Sequence, residues 1–201
     1  MKVHEEEMFD SNYDDMENLK PVIPEGNSDS ASLDNVFELL SMSGHSAPLT
    51  KLMLIPDAWS KKSKILPKNQ LKLFNFLNST MEPWDGPAAL AGTDNEWVIA
   101  ASDRNGLRPL RFTITRDKLL FAGSETGMVD LNEKKIIRKG RLGPGEIIGV
   151  RIEKGKVFTN SQIKDYLAKE YKHFNNQIID LDKKFPICLL YTSPSPRDGT
   201  S

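Results

Sequence analysis

The run Asp103-Arg104-Asn105-Gly106-Leu107-Arg108-Pro109-Leu110-Arg111 sets a carboxylate and three guanidinium groups around a turn dipeptide, between two strand-like stretches. Its chemistry is ion pairing. Arg104 and Arg108 have Asp103, Glu125 and Glu146 as candidate partners, and such pairs lock strand ends beside a site rather than react. Asn105-Gly106 is a strong turn signal because both residues tolerate positive φ. Pro109 pushes Arg108 into extended geometry, which gives its side chain a defined base. By spacing alone the run reads as a charged hairpin at the surface.

Other reactive residue types are sparse. Cys188 is the single cysteine and has no histidine or glycine constellation around it, so it reads as non-catalytic. One cysteine and three scattered histidines (His4, His45, His173) do not make a structural zinc site. Gly143-Pro144-Gly145 lacks the lysine-serine ending of a phosphate-cradling loop and reads as a turn. Trp84 and Trp97 read as packing residues, and His45, directly after Gly44, as a helix-end group.

These residues must be positioned by elements of two periods. Leu33, Val36, Phe37 and Leu40 follow helical spacing, with Ser30 or Ser32 to cap the first turn and Gly44 to close the end. Lys51–Ile55 is a short apolar run stopped by Pro56. A second helix starts near Pro67 and presents Leu71, Phe74, Leu77 and Met81. From Pro87 the period shortens. Ala88–Gly92, Trp97–Ser102, Leu110–Thr115, Leu119–Gly123, Lys135–Lys139 and Ile147–Ile152 read as strands joined by turns, which favours antiparallel pairing. A last helix from about Ser161 carries Ile163, Tyr166, Leu167, Tyr171 and Phe174 on one side. Helices flanking an antiparallel sheet make an α+β layered domain.

Bulk properties agree with a single globular domain. The chain has 201 residues and a formal net charge of −1, with the two signs interspersed, so no basic footprint points to nucleic acid. No apolar run reaches membrane-spanning length, and the acidic amino terminus is unlike a signal peptide. A lone cysteine suits a reducing compartment, so cytoplasmic is the expected location. Residues 186–201 are rich in serine and proline and resemble a translated adapter scar. They are expected to be a disordered or artefactual tail, with a natural linker as the alternative, and the domain is assigned to 1–185.

Motifs along the chain carry a resemblance. Ser28-Asp29-Ser30-Ala31 with Leu33-Asp34-Asn35, Leu54-Ile55-Pro56-Asp57-Ala58-Trp59, Met81-Glu82-Pro83-Trp84-Asp85-Gly86-Pro87-Ala88 and the arginine run come first. Gly123-Ser124-Glu125-Thr126-Gly127 and Lys139-Gly140-Arg141-Leu142-Gly143-Pro144-Gly145-Glu146 follow in order. Together they resemble class II glutamine amidotransferases, and the Glu-Pro-Trp-Asp-Gly-Pro string favours the glutamine-hydrolysing domain of the glutamate synthase large subunit family. The resemblance implies an αββα four-layer sandwich of the amino-terminal-nucleophile (Ntn) hydrolase type, of which this chain is roughly the carboxy-terminal half.

It implies L-glutamine hydrolysis and delivery of ammonia for amination of 2-oxoglutarate. FMN, an iron–sulfur cluster and NAD(P)H or ferredoxin serve the parent family, without a recognisable site in this segment. The implied partners are the remaining domains of the parent chain and a glutamate synthase small subunit. The family's nucleophile is an amino-terminal cysteine whose α-amine is the base. Position 1 here is methionine, so that cysteine, the oxyanion asparagine-glycine pair and the carboxylate-binding arginine are expected upstream. Asn105-Gly106 belongs to a different motif from that oxyanion pair.

From its position alone Asp29 reads first as a helix cap; the resemblance matches it to the family aspartate that meets the α-amino group of bound glutamine and makes substrate contact the favoured reading. Arg104, Arg108, Glu125 and Glu146 are the structural motif near the site. The alternatives are another class II amidotransferase, such as the phosphoribosyl-diphosphate type, or a catalytically empty domain binding glutamine or a protein. The 201-residue chain alone is expected to release no ammonia from glutamine, because losing the nucleophile removes orders of magnitude of rate. Release that Cys188→Ser abolishes would move the active site to that thiol.

Overall fold

The computed structural model describes residues 20–57 and 67–172. Its elements run α1 (Asp29–Met42), α2 (Ala47–Leu54), α3 (Lys68–Thr80), β1 (Ala89–Thr93), β2 (Trp97–Ser102), β3 (Leu110–Thr115), β4 (Leu120–Gly123), β5 (Ile136–Leu142), β6 (Ile147–Arg151), β7 (Lys156–Phe158) and α4 (Asn160–Glu170). The strands form two antiparallel sheets, ordered β1-β2-β6-β7 and β4-β3-β5. Phe174, Cys188 and the whole 186–201 tail lie outside the described residues.

Strand alternation builds two cores. Trp97, Ile99 and Ala101 of β2 and Ile147 of β6 face the helices, where they pack with Leu33, Val36, Leu40, Phe74, Leu77, Ile163 and Leu167. The intervening Ala100 and Ile148 point the other way, onto Leu110, Phe112 and Leu142 of the second sheet. The described chain is therefore a helical layer on one sheet with the second sheet behind it. Each buried leucine, isoleucine or phenylalanine contributes about 1.5–3 kcal/mol by leaving water. Both tryptophans pack as expected from their type: Trp97 meets Phe158 edge-on and Tyr166 at a tilt, and Trp84 joins the helical core.

Several local expectations shift. Helix α1 starts earlier than Leu33: Ser28, not Ser30, Ser32 or Asp29, is its cap, with its hydroxyl accepting the Ala31 N–H at 3.3 Å. The apolar run at 51–55 is the second half of helix α2, in which every residue is buried. A helix buried on all sides shows no amphipathic stripe, which is why its period is invisible. Its amino terminus is capped from afar, because the Asp94 carboxylate in the β1–β2 turn accepts the Ala47 N–H. The same carboxylate takes the N–H groups of Glu96 and Trp97. Strand β7 is only three residues long and has no clear alternation of its own.

The largest correction concerns the arginine run. It is not a hairpin. Strand β2 pairs with β1 and β6, whereas β3 pairs with β4 and β5, so residues 103–109 carry the chain from one sheet to the other. The crossing is organised by Asp103, which is 1% exposed. Its carboxylate accepts main-chain N–H bonds from Asn105 and Leu107 (3.0 Å each), Arg108 (3.0 Å) and Ala88 (3.2 Å). Its own N–H donates to the Ala88 carbonyl, and its carbonyl accepts from Gly106 and Gly145. Burial alone pushes its pKa up, but the four N–H donors outweigh that and hold the carboxyl below its usual range.

A depressed carboxyl stabilises the fold fully above its unfolded value of about 3.9, and that contribution fades as pH falls through the lower folded value. Asp103→Asn keeps the volume but turns an amide toward N–H donors. It is expected to remove about 3 kcal/mol of stability at pH 7. Urea unfolding at pH 7 and below pH 4 checks this; the loss should shrink in acid, as first the unfolded chain and then the folded carboxyl take up a proton.

Candidate functional site

The segment 82–88 is held at two points. The Trp84 N–H donates to the Leu54 carbonyl at the end of α2 (2.7 Å), and Ala88 exchanges two hydrogen bonds with Asp103. Between them the chain turns tightly at Gly86, where a Cβ would meet the Trp84 ring at 2.8 Å. The outer end of the Trp84 indole therefore sits against the turn, and a side chain at 86 would collide with it.

This wall faces the start of α1. Asp29, the first helical residue, is exposed and shares a cavity of about 270 Å³ with Ser32, Glu82, Pro83, Trp84 and Asp85. Three carboxylates around one opening, with a tryptophan wall, suit a small cationic group. The Ser28 hydroxyl is committed to the cap and to Ser30, 3.2 Å away, so these serines shape the loop. Asp29 stands in the first turn of α1, at the positive end of the helix dipole.

The other expected residues take scaffold positions. Among the described residues neither Arg104 nor Arg108 forms an ion pair. Arg108 contributes its main-chain N–H to Asp103 instead. Glu146 accepts the Gly143 N–H at 2.7 Å and closes the 143–146 turn, in which Gly145 adopts φ +69°. Glu125 is exposed and lines a different concavity of about 800 Å³ across β3, β4 and β5, with Arg111, Lys139 and Arg141. That larger hollow does not contain Asp29 or the 82–85 wall. The expected arginine–glutamate lock is thus replaced by a carboxylate–main-chain lock. The physical reason is entropic: peptide N–H groups are already ordered by the turn, whereas a guanidinium must give up rotamer freedom. His45 acts at the helix end through its N–H, which bonds the Leu40 carbonyl.

Sequence reasoning passed over a buried charged cluster behind the wall. Lys51 in α2 is 1% exposed and donates to the Gly145 carbonyl at 2.6 Å. Lys164 in α4 is also buried, and pairs with Asp57 just beyond α2. Lys164 lies over the Phe74 ring, 5.6 Å from its centroid. Burial lowers the Lys51 pKa to about 8, reinforced by Lys164 and opposed by Asp57 and Asp103. Lysines inside an apolar helical pattern look like surface residues, so only their depth reveals them. Among the described residues no group of three or more His, Cys, Asp or Glu is arranged to hold a metal. No described helix is long and apolar enough to cross a membrane.

A family profile described as class-II glutamine amidotransferases matches residues 1–176. The chain belongs to that family. Relatives are similar over most of its length. It is 47% identical to the NADPH glutamate synthase large chain of Azospirillum brasilense, over 98% of this chain and 13% of that one. With the corresponding large chain of Bacillus subtilis the figures are 33%, 86% and 11%. With ferredoxin-dependent glutamate synthase 2 of Synechocystis they are 40%, 79% and 10%. The amidotransferase segment described here thus spans about an eighth or less of these relatives.

The amidotransferase Ser-Asp-Ser motif now has two separable roles, a cap at Ser28 and an open carboxylate at Asp29. Ser28→Ala should cost about 1 kcal/mol of stability. Asp29→Asn should cost only a few tenths, the loss of a charge at the helix dipole. Thermal melts of both variants check the division; equal losses would make Asp29 part of the cap.

Proposed function

We propose that this domain forms part of the glutaminase site of a glutamate synthase, with Asp29 receiving the α-ammonium of L-glutamine. The observation that carries the reading is the shared cavity of Asp29 and the Glu82–Asp85 wall, two motifs far apart in sequence. The charge is right for an ammonium group, and the opening is right for one end of an amino acid. In this reading the domain occupies residues 1–185 and holds and orients the amine end of the substrate. The nucleophilic cysteine, its α-amine base, the oxyanion donors and the carboxylate-binding arginine come from the preceding part of the longer protein. The outer surface of β3, β4 and β5 then takes the second helical layer of an Ntn-type αββα sandwich.

Ammonia released from the side-chain amide passes to a synthase domain of the same protein, where 2-oxoglutarate is aminated and reduced. The remaining domains, and a small subunit in some members, are its partners, and the cytoplasm its location. FMN and an iron–sulfur cluster supply electron transfer in that other domain. A chain with one cysteine cannot ligate such a cluster by itself, so the groups present here do not fit it. The names of the similar chains favour this reading over a phosphoribosyl-diphosphate amidotransferase or an empty binding domain.

In the full-length enzyme, Asp29→Asn should lower kcat/KM for glutamine about 30-fold or more, equivalent to about 2 kcal/mol. The rate with free ammonia should hardly change, because ammonia bypasses this domain. Circular dichroism on the same preparation must show the helix content unaltered. Undiminished glutamine use by the folded variant would remove Asp29 from the substrate site.

A further inference from the structure

The buried cluster at Lys51 has no place in the chemistry outlined so far, yet it sits where three elements meet the wall of the cavity. Lys51 reaches from α2 to the Gly145 carbonyl. The Gly145 N–H in turn donates to the Asp103 carbonyl at 2.8 Å, and Asp103 holds both the N–H and the carbonyl of Ala88. The other end of the same wall hangs on α2 itself, through Trp84 and Leu54. One helix therefore supports both ends of residues 84–88, directly at one end and through the lysine at the other.

The Gly145 turn has little slack. Its φ is +69°, and a Cβ there would come within 2.9 Å of Asp57 Oδ1. That oxygen is buried and has no hydrogen-bond partner. Asp57 spends its other oxygen on Lys164. The charged groups acting on Lys51 are Asp57 after α2, Lys164 on α4 and Asp103 at the end of β2. Neighbouring α3 offers the ring of Phe74 to Lys164 and the neutral Gln70 to Asp165.

We propose that Lys51 is a positioning residue for glutamine: its buried ammonium braces the Gly145 carbonyl and, through Asp103, sets the wall that faces Asp29. This rests on reading the Asp29 cavity as the glutamine site. A lysine serving stability alone would be a poor choice here. Burial lowers its folded pKa below that of the unfolded chain, so the charged form weakens the fold below pH 8. The penalty disappears as pH rises toward the unfolded value of about 10.4. Removing the lysine would relieve that penalty but leave the Gly145 carbonyl without its donor, and the two effects oppose each other. Position, not stability, is what the charge supplies.

The test compares wild type, Lys51→Met and Asp29→Asn in the full-length enzyme, with glutamine and with free ammonia, between pH 6.5 and 9.5. Lys51→Met should raise KM for glutamine about tenfold at pH 7, as expected for a misplaced substrate wall. Its kcat should stay within about twofold, its ammonia-dependent rate should be unchanged, and its melting temperature should stay close to that of wild type. The wild-type KM should climb with a midpoint near pH 8, as Lys51 loses its proton, and that limb should be missing from Lys51→Met.

A glutamine KM within about twofold of wild type at pH 7, or a dependence of KM on pH that the substitution leaves unchanged, would overturn the proposal. A parallel fall in melting temperature and both activities would do the same, reducing Lys51 to scaffold. If Asp29→Asn impairs glutamine use while Lys51→Met does not, only the lysine proposal fails. If Asp29→Asn is itself without effect, the cavity is not the glutamine site and both fall.

Discussion

The Asp103 carboxylate enters the gap where the chain leaves one sheet for the other and finds four peptide N–H groups waiting there. A charge buried this deeply is tolerable only when it is fully hydrogen-bonded. The converse also holds: N–H groups in a crossing loop cannot pair in either sheet and need an acceptor. One side chain meets both demands. The loop 103–109, the turn at Gly145 and the end of segment 82–88 consequently have one arrangement in common. A shift in any of them strands donors that water cannot reach.

Around that point the polar groups are deployed against long-range partners rather than local ones. Asp94 leaves its hairpin to cap α2, and Lys51 leaves α2 to reach the turn before β6. Lys164 joins α4 to the residue after α2. Each such contact ties the helical layer to a particular register of the sheets, which apolar packing by itself leaves free to slide. The apolar cores supply most of the favourable energy; the buried polar contacts choose among the arrangements that such cores permit.

The same division explains the candidate site. An open carboxylate at a helix start binds an ammonium only if the opposing wall stands at a fixed distance. Here that wall is a short irregular segment with no ladder of its own. It borrows rigidity from α2 at Trp84 and from Asp103 at Ala88. Glycine at 86 lets it close over the Trp84 ring. In the proposed reading, that fixed distance is what meets the charged end of the amino acid.

Much was legible from residues alone, because it depends on local pattern. Helical spacing at Leu33–Leu40 and Leu71–Leu77, strand alternation at 97–102 and 110–115, and the motif order that marks the family are all properties of neighbours in the chain. What remained hidden depends on depth and on distant partners. Helix α2 has no polar face because it is covered on every side. The 103–111 run looks like a hairpin because nothing in its spacing says that its two strands belong to different sheets. Lys51, Asp103 and Lys164 look like surface charges until the fold closes over them, and Asp94 like a simple turn residue. A residue's type and its neighbours set what it prefers; which of those preferences survives is decided by what the rest of the chain brings beside it, since burial changes the energy of a charge far more than any local context does.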